Sequence, residues 1–136
     1  MSSDSIIVIS QPRYLPSLNY IHRILLADKF IFLDNVQYTP RDWENRNKVK
    51  GPNGAFWLTV PVVRVSREQR ILDTKIDSEQ RWANRHINTI KQLYSSAPFF
   101  SNYIGDLCDI YQQEWEYLID LNERLIKYFC KSWDIS

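Results

Sequence analysis

The sequence predicts an α/β fold: a small parallel or mixed sheet with a strand-loop-helix-strand opening, followed by a helical C-terminal half. Three observations predict it. The all-apolar, β-branched run IIVI (Ile6 to Ile9) is followed by helically spaced Leu18, Ile21 and Leu25, then by a second apolar run, FIFL. In the middle, the turn KGPNG separates two extended segments. From Asp77 onward the apolar residues recur at helical spacing.

Ile6 to Ile9 reads as a strand covered on both faces. Pro12 and Pro16 keep a helix from starting early, because each fixes its own backbone and restrains the residue before it. The helix then runs from Ser17, as its cap, to Asp28. Phe30 to Leu33 forms the second strand. Strand, helix, strand is the unit that builds parallel pairs, and such pairs place ligands beyond their C-terminal ends. Ser10–Gln11 and Asp34–Asn35 therefore belong at one edge.

Asn35 to Asn47 reads as a polar, irregular excursion around Trp43. Lys48–Val49 and Phe56 to Val60 flank the turn KGPNG and pair as a hairpin. Arg70 to Asp77 suggests another short strand. Trp82, Ile87, Ile90, Leu93 and Tyr94 line one helix, capped by Asp77. APFF (Ala97 to Phe100) breaks it, and Ser101 caps the next, which carries Ile104, Leu107, Tyr111, Trp115 and Leu118. A bend near Ile119–Asp120 leads to Leu121, Leu125, Ile126 and Phe129.

The 136 residues suit one domain spanning 1–136, long enough to form a core without a disulfide or metal staple. Lys and Arg number 17 against 16 Asp and Glu, a balance that argues against a nucleic-acid partner. No apolar run approaches a membrane span, and the N-terminus lacks the pattern of a signal peptide. Cys108 and Cys130 read as free thiols of a cytoplasmic protein. Nothing in the Cys and His spacing suggests zinc, and Asp34 is the only certain oxygen ligand at the expected edge, so no metal and no cofactor is assigned.

The string ISQPRYLPSLNYIHRILLADKFIFLDNVQYTPRDWENRNKV resembles the opening of the WbqC-like proteins, bacterial proteins often encoded among polysaccharide and O-antigen biosynthesis genes. The resemblance lies in Gln11–Pro12, Tyr14–Leu15–Pro16, Tyr20, Ala27–Asp28, Asp34, Val36–Gln37 and Asn45–Arg46–Asn47. WLTVPV (Trp57 to Val62), His86, YSSAPFF (Tyr94 to Phe100) and Asn122 extend it over nearly the whole chain. Family members usually carry a further C-terminal portion, so the chain reads as a shortened member or a fragment.

The resemblance implies a transferase or ligase-like enzyme acting on an activated or nucleotide-linked sugar. The alternative is a non-catalytic ligand-binding or assembly subunit. The implied partners are a small-molecule substrate of the nucleotide-sugar class and either a second copy or a separate C-terminal polypeptide. Gln11, Tyr14, Tyr20, Gln37, Asn45, Arg46 and Asn47 are the substrate-binding candidates, with Asp34 and His86 as catalytic candidates. Gln11 can donate and accept hydrogen bonds to a ligand or satisfy its own loop. Tyr14 and Tyr20 can stack on a base or sugar, or pack beneath the loop. The fork of Arg46 suits a diphosphate or carboxylate, or else a salt bridge to Asp34 or Asp42. His86 is an acid–base candidate by its pKa class, or a packed histidine on the Trp82 face.

Overall fold

The computed structural model describes residues 5–16, 18–39, 44–51 and 54–132. Strands β1 (Ile7–Ser10) and β2 (Lys29–Phe32) lie side by side and parallel, with Ile7 opposite Lys29 and Ser10 opposite Phe32. Helix α1 (Leu18–Leu26) makes the crossover. Asp28 lies beyond the helix: its carboxylate accepts from the Ile6 amide at 2.7 Å and its own amide donates to the Ile6 carbonyl at 2.8 Å. This ties the end of the crossover to the start of β1. The proposed cap, Ser17, is outside the described residues, as is Trp43.

β1 is not covered on both faces. Ile7 and Ile9 are 56% and 57% exposed, and Ile31 of β2 is exposed beside them. The other face carries Phe30 and Phe32, which pack edge to face, and Tyr20 of α1 meets Phe30 in the same way. On α1 the buried residues are Tyr20 and Ile21, whereas Leu25 faces solvent. A single crossover helix covers one face of a two-stranded sheet, and among the described residues no further strand extends this pair.

β3 (Arg46–Gly51) and β4 (Gly54–Thr59) form the expected antiparallel hairpin. Gly54 has φ +116°, which a side chain would resist. β3 begins at Arg46, so Arg46 and Asn47 lie in a strand and not in the irregular excursion. β5 (Val62–Val63) and β6 (Lys75–Ile76) make a third, short antiparallel pair. The strand expected from Arg70 is instead a 3-10 turn over Ile71–Asp73 followed by β6. Arg70 pairs with Asp73 at 2.7 Å and the Thr74 hydroxyl donates to the Arg70 carbonyl at 2.9 Å, which curls the chain before β6.

Three helices complete the fold: α2 (Trp82–Tyr94), α3 (Phe100–Gln112) and α4 (Leu118–Ser132). Asp77 does not cap α2. It organises the preceding turn, accepting from the Glu79 amide and the Gln80 side chain. Ser101 lies inside α3, whose first flanking residue is Phe99. The break between the last two helices comes earlier than Ile119. The Gln113 amide and the Trp115 indole N–H both donate to the Ile110 carbonyl, at 3.3 and 2.8 Å, and this double use ends α3. The core joins Leu58 and Val60 of the hairpin side to Ile87, Ile90, Ile110, Leu118, Leu121 and Leu125 of the helices. Among the described residues, no helix is long and apolar enough to cross a membrane.

Candidate functional site

Two places gather the chemistry-bearing residues. The first is the edge where β1 and β2 end together. The Leu33 amide donates to the Ser10 carbonyl at 2.8 Å, so Gln11 and Asp34 emerge next to each other from adjacent parallel strands. The Tyr20 hydroxyl donates to the Gln11 carbonyl at 2.8 Å, fixing the first residue of the turn. Burial raises the Tyr20 pKa to about 12, against the opposing pull of Ser10, Arg13 and Arg23. Arg13 and Arg23 both lie over the Tyr20 ring, at 5.8 and 5.3 Å. Asp34 is half-buried, and its carbonyl accepts from the Leu72 amide.

The second place is a buried hydrogen-bond relay. Tyr14, from the proline-flanked turn, meets Nδ1 of His86 on α2 at 2.7 Å and the hydroxyl of Tyr111 at the end of α3. Nε2 of His86 lies 3.0 Å from the Thr59 carbonyl at the end of β4. A carbonyl only accepts, so Nε2 carries the proton. Nδ1 of the neutral ring is then the acceptor, Tyr14 donates to it, and Tyr111 donates to Tyr14. Burial holds the His86 pKa down at about 4, so the ring is neutral near pH 7. Burial also raises the pKa of both tyrosines, Tyr14 further through Tyr111. The three groups therefore form a neutral, directional chain. Trp82, four residues before His86 on the same helical face, stands edge-on to it.

The turn that delivers Tyr14 is strained. Leu15 has φ +47°, in the left-handed region that a branched side chain rarely occupies. Asn47 holds it there: its side-chain amide donates to the Leu15 carbonyl at 2.5 Å and reaches the Tyr14 carbonyl at 3.4 Å. Strain of this kind persists only where surrounding contacts enforce it, and it concentrates at functional sites.

The remaining candidates are spread along the middle of the chain. Asn45 is buried and donates to the Val60 carbonyl at 3.0 Å. The Arg46 guanidinium stacks 4.2 Å from the Trp57 ring centre. Gln37 bridges to Arg70, and its side-chain amide donates to the Arg67 carbonyl at 2.6 Å. The structure thus brings Gln11, Tyr20 and Asp34 to one edge, and Tyr14, His86 and Asn47 around one corner. Asp34 and His86 keep separate company: the Asp34 carbonyl accepts from the Leu72 amide, and His86 bonds Tyr14 and the Thr59 carbonyl.

Sequence reasoning placed Tyr111 on a helical face without a role. Its partner is 97 residues away, and its periodicity is that of any core residue. The Thr59 carbonyl is backbone and leaves no mark in the sequence. Asn122, fully buried on α4, donates to the Glu44 carbonyl at 2.7 Å and so anchors the excursion to the helical half.

Two cavities flank the relay region. One, of about 840 Å³, has a wall of mixed polarity that includes Trp82 and Tyr111. The other, of about 480 Å³, is apolar and has Leu15 in its wall, with Ile90, Leu107 and Phe129. Among the described residues, no group of three or more His, Cys, Asp or Glu side chains is placed to hold a metal ion. Cys108 and Cys130 are free and half-buried.

The family model of the WbqC-like protein family matches residues 11–136. An uncharacterized protein of Mycobacterium tuberculosis is 38% identical over 132 residues, covering 96% of this chain and 57% of that protein. The chain thus spans little more than half the length of this relative. No solved structure matches the chain.

Proposed function

The chain belongs to the WbqC-like protein family, and from that premise we propose that it is a transferase or ligase-like enzyme acting on an activated or nucleotide-linked sugar in surface-polysaccharide assembly. The observation that carries this reading is the shared edge of β1 and β2. Parallel strands joined by a helix offer a crevice beyond their carboxyl ends, and Gln11 and Asp34 follow just past the ends of the two paired strands. In this reading Gln11 orients a sugar hydroxyl or base edge, and Asp34 accepts the proton of the attacking group. Arg46 and Gln37 extend the contact surface. Tyr20, Asn45 and Asn47 serve by shaping the polypeptide around the substrate, and Tyr14 and His86 by fixing the turn. The buried, neutral His86 has both ring nitrogens engaged and suits positioning better than proton exchange with solvent.

Calorimetric titration of the 136-residue chain with a set of nucleotide sugars and amino acids tests this. Saturable binding that Gln11→Ala weakens supports the reading. Absence of binding across the set, or binding indifferent to Gln11→Ala, removes it.

The open face of the same strand pair favours a second reading, an assembly subunit without chemistry. Ile7, Ile9 and Ile31 form an exposed apolar strip on a parallel pair, a kind of sheet that is ordinarily covered on both faces. Light-scattering mass separates the two: a monomer with reproducible turnover eliminates the assembly reading.

A further inference from the structure

We propose that the cavity of mixed polarity between the turn before α2 and the α3–α4 connector is a binding site for a hydroxyl-rich, uncharged ligand of the pyranoside class. It goes beyond the strand-edge reaction, since occupancy here needs no chemistry at Asp34. The argument starts from the lining. Gln80, Asn84, Gln112 and Gln113 contribute carboxamides, each of which both donates and accepts. A sugar hydroxyl also does both, so amides in one wall can satisfy a polyol with no charge requirement.

The charges of the wall point the same way. The wall carries Arg81, Glu114 and Glu116, and Lys75, from outside the wall, meets Glu116 at 3.4 Å. The balance is close to zero, which suits neither a phosphate-rich ligand nor a polycation. Amides set among aromatic rings suit a lipid chain less well than does the neighbouring cavity around Ile90 and Leu107, whose wall is mostly apolar.

Trp115 supplies the remaining element. Its indole N–H is spent on the Ile110 carbonyl, which fixes the ring as a half-buried plate at the cavity wall. A rigid aromatic surface in the same wall as several amides matches a pyranose, whose ring C–H bonds form an apolar face and whose hydroxyls radiate from its rim. About 840 Å³ accommodates one or two such rings. Tyr111 and Trp82 close the inner wall. Because Tyr111 is bonded to Tyr14, and Tyr14 to His86, that wall is preorganised.

The test uses the 136-residue chain with methyl glucoside, methyl galactoside and N-acetylglucosamine, followed by the side-chain amide resonances of Gln80, Asn84, Gln112 and Gln113. Saturable shifts confined to these amides, with affinity reduced about tenfold in an Asn84→Ala, Gln112→Ala double variant, are expected. Both residues are exposed, so the melting temperature of the variant stays near that of the parent. No saturation up to about 50 mM sugar, unchanged affinity in the variant, or displacement of the sugar by inorganic phosphate at the same amides each overturns the proposal. A failure here leaves the strand-edge reading intact. A failure to bind nucleotide sugars through Gln11 leaves this cavity standing.

Discussion

The β1–α1–β2 unit and the helical half are built from similar amino acids and use them oppositely. Ile6, Ile7, Ile9, Leu25 and Leu26 are all more than half exposed, while Leu118, Leu121 and Leu125 are completely buried. Apolar content by itself therefore does not make a core: closure on several sides does. The helices close on one another and on the hairpin, whereas the strand pair has one helix and an open face. The N-terminal unit keeps its place through discrete tethers. These are the Tyr14 relay, the Asn47 clamp on the turn, and the Leu72 amide on the Asp34 carbonyl.

The contrast can be broken by experiment. Leu125→Ala, in the closed core, is expected to cost about 2–5 kcal/mol in urea unfolding, through lost burial plus the cavity left behind. The next effect comes from pH. The folded-state pKa of His86 is depressed to about 4 from an ordinary 6.5, so its contribution is fully present above about pH 6.5 and is lost as pH falls through about 4. The loss is about 3 kcal/mol. His86→Gln should remove that part of the pH slope, whatever it does to absolute stability, and an unchanged slope refutes the assignment.

Tyr14→Phe leaves Nδ1 of His86 and the Tyr111 hydroxyl without their shared partner, at a cost of about 1–3 kcal/mol. If the relay is the main tether, hydrogen exchange in β1 and β2 should quicken more than in α4. The smallest effect should be Ile9→Thr, within about 0.5 kcal/mol in the isolated chain. A loss beyond about 2 kcal/mol would mean that this face is covered in solution and that the contrast belongs to the monomer alone.

Much of this architecture was legible. The spacing of Leu18 and Ile21 between two β-branched and aromatic runs foretold a parallel pair, and KGPNG foretold the hairpin. The helices followed from Ile87 and Ile90, and from Leu121 and Leu125. What escaped was set by distant or backbone partners. A short all-apolar run cannot tell a strand with one open face from one covered on both, so Ile9 read as core. Asp77 and Ser101 have the right chemistry for caps, but the turn around Gln80 and the approach at Phe99 place the helix starts elsewhere. The candidate site was half visible. Gln11 and Asp34 were put at one edge by topology, whereas the pairing of Tyr14 with His86 and Tyr111 depends on packing across nearly the whole chain.

That last separation has a consequence for biogenesis. Tyr14 and Tyr111 are 97 residues apart, so at translation speeds of roughly 5–20 residues per second the turn leaves the ribosome roughly 5–20 seconds before its anchor is made. During that interval Tyr14, Leu15 and Val36, which pack on the core of the finished fold, have no helical half to pack against. The nascent N-terminal segment is then the part of the molecule most in need of a chaperone.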